Sequence, residues 1–264
     1  MDNKNTDLSH IKCFALDMDG TFYLGGKIYD GSLLFIEKLK ETGRQFVFLT
    51  NNSSKNRMNY VEKLRKMGLE IGLNDIVSSG HATIQYLLEN HKGKSVFLLG
   101  NDALQREFQE AGILLSSQPD MVVTAFDDSL DYGKMTTVCN LVRSGIPFIA
   151  THPDYNCPVE NGFVPDIGAI HAFIHASTGR MPDKIIGKPY ESIMDCAFSQ
   201  TGCKASETAM VGDRLYTDIA VSQNVQGLTG ILVLTGETKI EDVSNSDIKP
   251  HYIFPSLKSM IPFL

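Results

Sequence analysis

Four short polar clusters contain the reactive side chains that stand out in this 264-residue chain. They are DMDGT from Asp17, LTNNS around Thr50, GKP around Lys188 and GDRLYTD from Asp213. Together they offer carboxylates, a hydroxyl, two amides and an ammonium group. Carboxylate oxygens are ligands that Mg²⁺ prefers, and the other groups hydrogen-bond readily to phosphate oxygens. If the clusters meet in the fold, they indicate a site for a divalent cation and a phosphate group.

Each cluster follows an apolar run that has the pattern of a buried strand. The runs are IKCFAL, FVFL, KII and TAMV. Short apolar runs bounded by polar residues are typical of strands in a parallel sheet. Ligand sites in open α/β sheets form beyond the carboxyl ends of the strands. We therefore expect the four clusters to converge on one crevice, although they lie far apart in the sequence.

The residue types in the clusters suggest phosphoryl chemistry. Asp17 can act as a nucleophile toward phosphorus, because aspartyl-phosphate intermediates are an established route. Its repulsion from a phosphate is about 4 kcal/mol per charge pair at 4 Å, and a cation bound to Asp17 and Asp213 would cancel it. Lys188 would add a second positive contact, and Thr50 with the amides after it would hold the remaining oxygens. Asp19 is then available to give and take the proton.

Each cluster also has an ordinary structural explanation. DxDG can be a turn or a calcium-binding loop, and Thr50 with Asn51 can cap the next helix. Lys188 can be a surface lysine, and Asp213 or Asp218 can satisfy free amides at a helix start. The occurrence of all four clusters in this order, each at a strand end, favours the catalytic interpretation.

Composition limits the classes of partner and compartment. The chain is 42% hydrophobic and 21% charged, which is typical of a globular protein. Its net charge of -7 argues against a nucleic-acid partner, and no apolar run approaches the roughly 18 residues of a membrane span. The polar start lacks the pattern of a signal peptide. Five cysteines without CxxC spacing argue against disulfides and a zinc site, so we expect a cytoplasmic protein.

Strand and helix patterns alternate along the whole chain and then restart near residue 81. The first helices are predicted from about Leu33 to Thr42 and from about Lys55 to Met67, each ending at a glycine. Thr50 and Lys188 lie much farther apart than the dozen or so residues of a βαβ crossover. We therefore predict an α/β protein with a Rossmann-like, doubly wound parallel sheet as its core domain (1–80 and 182–264) and an inserted α/β domain (81–181).

The ordered set DMDGT, LTNN, GKP and GDRLYTD resembles the haloacid dehalogenase superfamily of phosphatases. It is most similar to subfamily IIA, the NagD-like and p-nitrophenyl phosphatase-like branch, which carries an α/β cap at the position of the insertion. The resemblance implies that Asp17 is the nucleophile. It implies that Asp19 is the general acid and base and offers its backbone carbonyl to Mg²⁺.

The resemblance assigns roles to the remaining clusters as well. Thr50 and Asn51 are expected to bind the transferring phosphoryl group, and Lys188 to steady the nucleophile and the phosphate. Asp213 is expected to ligate Mg²⁺ with Asp17 and Asp19, while Asp218 supports the site from just outside the metal ligands. The family implies a small phosphorylated metabolite as substrate and a possible homodimer through the cap.

The stretch THPDYNCPVENGFVPDIGAI resembles the end of the cap in this branch. His152 stands where Asn is common, so substrate contacts are not carried over from relatives here. We interpret His152 and His171 as hydrogen-bonded structural histidines.

Three other functions compete with a phosphatase. A dehalogenase would also use an Asp nucleophile, but its leaving halide needs no proton and Asp19 would have no role. Phosphomutase activity is possible on the same scaffold. A catalytically silent ligand-binding protein is a third alternative, although such a protein usually loses one of the acidic or basic site residues. The sequence favours a Mg²⁺-dependent phosphatase acting through an aspartyl-phosphate, and it leaves the substrate open.

Overall fold

The computed structural model describes residues 6–159 and 162–264. The chain forms two compact units. The first contains the described residues up to Thr50, then Val61–Val77 and Lys188–Leu264. The second contains Asn51–Tyr60 and Ser78–Gly187, so in chain order it is inserted into the first.

Strands and helices alternate along the chain. The strands are β1 (Cys13–Leu16), β2 (Tyr23–Leu24), β3 (Lys27–Ile28), β4 (Gln45–Thr50), β5 (Ile76–Ser78), β6 (Ser95–Leu99), β7 (Leu114–Leu115), β8 (Met121–Thr124), β9 (Phe148–Ala150), β10 (Asn156–Val159), β11 (Gly162–Pro165), β12 (Lys184–Ile185), β13 (Thr208–Gly212), β14 (Thr229–Val233) and β15 (Tyr252–Phe254). The helices are α1 (Ser32–Glu41), α2 (Arg57–Lys66), α3 (Ser79–Asn90), α4 (Asp102–Glu110), α5 (Tyr132–Arg143), α6 (Ile167–Thr178), α7 (Glu191–Thr201), α8 (Ala220–Asn224), α9 (Ile240–Asn245) and α10 (Leu257–Met260).

The first unit is built on a six-stranded parallel sheet in the order β15-β14-β13-β1-β4-β5. Every residue of β1, β13 and β14 is buried, which is why these strands have continuous apolar sequences. Leu16 of β1 is in register with Phe48 of β4 and Val211 of β13. The residues that follow these three strands therefore emerge at the same edge of the sheet.

The second unit has its own parallel sheet, in the order β12-β9-β8-β6-β7, and a hairpin of β10 and β11. The predicted fold class, a doubly wound parallel sheet with an inserted α/β cap, is confirmed by these two sheets.

The first predicted helices occur close to their expected positions. Helix α1 begins at Ser32, after Gly31 in the left-handed region (φ 80°), and ends at Glu41. Its buried face includes Phe35, Ile36 and Leu39. Leu34 is exposed, because it lies off that face of the helix.

The strand before Lys188 lies elsewhere than the sequence predicts. The prediction places KII in the core domain that resumes at residue 182. In the structure β12 pairs with β9 of the second sheet, with Lys184 opposite Ile149 and Ile185 opposite Ala150. A run of two or three apolar residues cannot specify which of two parallel sheets it joins, because both sheets require the same local pattern. Among the described residues, no helix has the length and apolar character needed to cross a membrane.

Candidate active site

The sheet of the first unit brings the ends of the predicted strands together. Asp17 directly follows β1, Asp213 directly follows β13, and Thr50 is the last residue of β4. Because β1 lies between β13 and β4, these residues are neighbours at the carboxyl edge. The amide of Asp17 donates to the carbonyl of Val211 at 2.9 Å, which extends the ladder by one residue.

Lys188 joins two of the acidic clusters. Its Nζ lies 2.6 Å from Asp17 Oδ1 and 2.6 Å from Asp218 Oδ1. It also donates to the carbonyl of Leu49 at 3.3 Å. Lys188 and Asp218 are both buried. An ammonium group has three N–H donors, and these contacts fix the carboxylates of Asp17 and Asp218.

Three carboxylates form one group at this position. One carboxylate oxygen each from Asp17, Asp213 and Asp218 lies within 4.8 Å of the others. Oxygen ligands at this spacing suit a hard divalent cation. With Lys188, the structure thus brings together residues of the DMDGT, GKP and GDRLYTD motifs within the first unit.

The carboxylate of Asp213 is held by the turn that follows β1 and by the loop that follows β14. Thr21 Oγ1 donates to Asp213 Oδ1 at 3.1 Å, and the Glu237 amide donates to Oδ2 at 2.7 Å. Gly20 packs against the same carboxylate with φ +93°, and a Cβ at this glycine would lie 2.5 Å from Oδ2. Only glycine fits there, since any side chain would have to displace Asp213.

Asp218 has a different environment. Its Oδ2 accepts from the Arg214 amide at 3.0 Å, while its Oδ1 is bound to Lys188. Asp218 lies in a π-helical turn, Leu215–Ile219, that continues into α8. Both oxygens are therefore used to hold Lys188 and the local backbone. The predicted role of Asp218 in supporting a metal site stays a prediction.

The remaining predicted residues lie outside this group of carboxylates. The Asp19 side chain is exposed, and its backbone forms a bridge with Tyr23. Thr50 is buried at the end of β4. Asn51 belongs to the second unit, where its side-chain amide donates to Asp154 at 3.2 and 3.3 Å. The proposed roles of Asp19, Thr50 and Asn51 remain predictions.

Burial and charge crowding perturb the titration of the acidic residues. Burial raises the pKa of Asp17 to about 8; Asp218 and Asp213 add to the shift and Lys188 opposes it. Burial and the Asp218 charge raise the pKa of Asp213 to about 6. Burial lowers the pKa of Lys188, but Asp17 and Asp218 outweigh it and the pKa is raised overall. The group therefore favours an additional positive charge.

Sequence reasoning did not single out Thr21, Arg214 or Glu237 as site residues. Thr21 and Arg214 lie inside the motifs DMDGT and GDRLYTD, next to the acids that were selected. Glu237 lies in a polar, glycine-containing segment directly after β14. The rule that ligand sites follow strand ends would have identified that segment if it had been applied to β14.

The histidines of the second unit have structural partners. His152 is fully buried, with Nε2 2.9 Å from Asp166 Oδ1 and Nδ1 2.9 Å from Thr151 Oγ1. His171 Nε2 lies 2.8 Å from Thr124 Oγ1. The interpretation of both residues as hydrogen-bonded histidines is confirmed.

Two family models match the chain. One, described as haloacid dehalogenase-like hydrolase, matches residues 14–114, and the other, described as HAD-hydrolase-like, matches residues 185–260. An acid sugar phosphatase of Staphylococcus aureus is 38% identical over 256 residues, which cover 96% of this chain and 98% of the relative.

Solved structures give the same result. A 4-nitrophenylphosphatase from Thermotoga maritima is 45% identical, with a TM-score of 0.94 over 97% of this chain and 98% of that one. A glycerol phosphate phosphatase from Mycobacterium tuberculosis, solved in complex with calcium, is 26% identical. Its TM-score is 0.88 over 96% of this chain and 75% of that one. This protein belongs to the haloacid dehalogenase-like hydrolases. Within that family it is a phosphatase of subfamily IIA, the NagD-like and p-nitrophenyl phosphatase-like branch.

Proposed function

We propose that this phosphatase hydrolyses small phosphate monoesters, such as a sugar phosphate or a nucleotide, with Mg²⁺ and through a phosphoryl group carried on Asp17. The observation that carries the proposal is the arrangement around Lys188, whose Nζ lies 2.6 Å from both Asp17 and Asp218. A cation fixed beside a carboxylate at a strand end orients that carboxylate for attack and offsets charge as phosphate approaches.

The proposed reaction has two steps. In the first, an oxygen of Asp17 forms a bond to phosphorus, the ester P–O bond breaks, and Asp19 gives its proton to the leaving oxygen. In the second, Asp19 takes a proton from water, the water oxygen forms a bond to phosphorus, and the bond to Asp17 breaks. Inorganic phosphate leaves and both carboxyl groups return to their initial states. Thr50 and the amides after it, including that of Asn51, are proposed to hold the phosphate oxygens.

The residues present fit a divalent cation. Asp17, Asp213 and Asp218 are opposed by the Lys188 ammonium and the Arg214 guanidinium, yet burial and crowding among the carboxylates still raise the pKa values of Asp17 and Asp213. Asp17 and Asp213, with the backbone carbonyl of Asp19, would hold Mg²⁺. When bound, the ion would offset a repulsion of about 4 kcal/mol per charge pair between the nucleophile and the phosphate. The calcium complex of the mycobacterial relative supports a divalent-cation site.

We propose a sugar phosphate as the first substrate to test, because the Staphylococcus aureus relative carries the name acid sugar phosphatase. Glycerol phosphate and nucleotides are the next candidates. We also propose that the protein acts in the cytoplasm, which suits its five free cysteines. A homodimer through the second unit is proposed as well, and analytical ultracentrifugation tests it directly.

The proposed chemistry is tested by trapping the phosphoryl group. Enzyme mixed with a ³²P-labelled sugar phosphate and Mg²⁺, then quenched in acid, should retain about one label per active chain, released by hydroxylamine. The Asp17→Asn variant should retain none. Label that persists in Asp17→Asn, or turnover of the wild type unaffected by EDTA, would refute the assigned nucleophile or the metal requirement, respectively.

A further inference from the structure

The sheet of the second unit has a point at which its strand order reverses. From β6 the chain passes through α4 to β7 on one side of β6, and then returns to β8 on the other side. From β8 it continues outward to β9 and β12. The connections that leave β6 and β8 therefore run in opposite directions. In open parallel sheets, the crevice beyond the carboxyl ends of two such strands is where ligands bind.

A cavity of about 370 Å³ lies at this point. Its walls include Leu99, the last residue of β6, and the segment 125–128, which directly follows β8. Val164 of β11 and Ile170 of α6 also line the cavity. Small-molecule sites occupy roughly 300–1,000 Å³, so the cavity is large enough for a compact organic ligand.

The lining combines apolar side chains with an acidic edge. Phe126, Leu130 and Val164 contribute apolar surface, and the acidic residues Asp127 and Asp128 also line the cavity. The small number of polar groups at the edge of an apolar cavity is the usual composition of a site that binds an organic molecule in one orientation.

The two carboxylates differ in their availability. Asp127 is buried, and its oxygens are engaged by Lys134 Nζ at 2.7 Å and by the Ser129 hydroxyl at 2.6 Å. Asp128 is exposed, and its Oδ1 accepts from Asn101 Nδ2 at 2.9 Å. Asp128 Oδ2 accepts no hydrogen bond from the described part of the chain. Asp128 therefore offers an exposed carboxylate that is oriented by Asn101.

We propose that this cavity binds a small molecule with an apolar body and an ammonium or other hydrogen-bond donor that faces Asp128. The ligand is an effector distinct from the phosphate ester, and the residues that line the cavity all belong to the second unit. The inference goes beyond the proposed function, because binding here does not depend on the chemistry at Asp17.

Direct binding to the full chain tests the proposal without reference to activity. The probe is 2-phenylethylamine, with 2-phenylethanol and phenylacetate as neutral and anionic comparators, titrated by ligand-observed NMR at low ionic strength. We expect saturable binding of the amine, weaker binding of the alcohol, and at least tenfold weaker binding of phenylacetate, since the acidic edge repels it. The absence of saturable binding up to the solubility limit of the amine would overturn the proposal.

Variants locate the binding site. Asp128→Asn should weaken the amine at least fivefold and leave the alcohol unchanged, because only the charge is removed. Val164→Trp should fill the cavity and abolish binding of both probes. Glu110→Gln, which removes an exposed carboxylate that does not line the cavity, should change neither. Circular dichroism confirms folding of each variant, and Asp128→Asn alone suffices if Val164→Trp fails to fold. Equal amine affinity in Asp128→Asn and wild type would contradict the proposal.

Steady-state kinetics with p-nitrophenyl phosphate tests the role of the ligand as an effector. Noncompetitive inhibition or activation by the amine, lost in Asp128→Asn, is the result expected of an effector. Competitive inhibition that is lost in the same variant would contradict that role. An effect on turnover that persists unchanged in Asp128→Asn would place the amine elsewhere and overturn the assignment.

Discussion

Lys188 Nζ lies 2.6 Å from Asp17 Oδ1, although 171 residues separate the two in the chain. The lysine side chain is only 3% exposed and Asp218 holds it from a second direction at the same distance. A buried ammonium group with two carboxylate partners has little freedom to move. Removing one member of such a pair typically costs 3–5 kcal/mol, largely because a buried charge is left unpaired. The relationship therefore fixes the orientation of Asp17.

Replacing Asp17 by Asn should abolish turnover of p-nitrophenyl phosphate while the protein stays folded. An amide has nearly the same shape as a carboxylate but is a very poor nucleophile toward phosphorus. The measurement is kcat, with the thermal unfolding midpoint as a check on folding. The matched control is Asp30→Asn, which changes an exposed carboxylate of the same unit and should retain activity. Full activity of Asp17→Asn would exclude Asp17 as the nucleophile.

Replacing Lys188 by Ala should lower kcat by about 10²–10³-fold, the usual cost of one lost transition-state contact. A double-mutant cycle with Asp218→Asn separates positioning from direct action, because residues in one buried network are not additive. We expect Asp218→Asn to cost much less in the Lys188→Ala background than alone. A loss of kcat below tenfold for Lys188→Ala would place Lys188 outside the catalytic site. Full additivity of the two substitutions would argue that Asp218 does not position Lys188.

Replacing Asp19 by Asn should affect poor leaving groups much more than good ones. A sugar alkoxide needs a proton as it leaves, whereas p-nitrophenolate departs without one. We therefore expect a loss of kcat/KM at least tenfold greater with a sugar phosphate than with p-nitrophenyl phosphate. The measurement compares both substrates in wild type and variant. Equal losses on the two substrates would count against the acid role of Asp19.

The affinity for Mg²⁺ should rise with pH up to about 8. The pKa of Asp17 is raised to about 8, mainly by burial, so below that pH an ion that binds the carboxylate must displace a proton. Between the pKa values of Asp213 (about 6) and Asp17 (about 8), one proton is displaced, so the apparent affinity should fall about tenfold per pH unit there and level off above pH 8. Isothermal titration calorimetry in buffers of different ionisation enthalpy should detect release of about one proton at pH 6.5 and almost none at pH 9. A Mg²⁺ affinity that does not vary with pH would contradict the assignment of Asp17 as a metal ligand.

Folding stability should fall in mild acid because of His171. Burial, with a contribution from His152, lowers the pKa of His171 from 6.5 to about 3, so the folded state holds this side chain neutral. The stabilisation is complete above the unfolded pKa of 6.5 and decreases as the pH falls toward 3. By pH 5 the expected loss is about 2 kcal/mol.

Urea unfolding at pH 7 and pH 5 measures this loss. His171→Gln should be less stable at pH 7, because it loses the ring packing and the contact with Thr124, but it should lose less stability between the two pH values. His171 also faces His152, whose pKa shifts in the opposite direction, so the comparison of variant and wild type isolates one residue. The same pH dependence in both proteins would exclude His171 as the cause.

The sequence by itself determined the strands that carry the site and the residue types that follow them. Buried runs such as CFAL and TAMVG need no tertiary information to be recognised as parallel strands, because both of their faces must be apolar. The polar residues that follow them, Asp17 and Asp213, were identified because ligand sites form at the carboxyl ends of such strands. The segments matched by the family models, residues 14–114 and 185–260, contain Asp17 and Asp213.

Only the tertiary structure decided how the clusters are paired. The contact of Asp218 with Lys188, and the binding of Asp213 by Thr21 and the Glu237 amide, join segments far apart in the chain. Local sequence does not specify which distant backbone amide will donate a hydrogen bond to a given carboxylate. The strand that precedes Lys188 illustrates the same limit, because its two residues could pair equally well in either sheet, and long-range pairing with β9 made the choice. Local pattern specifies what an element is, and the packing of the whole chain specifies what it touches.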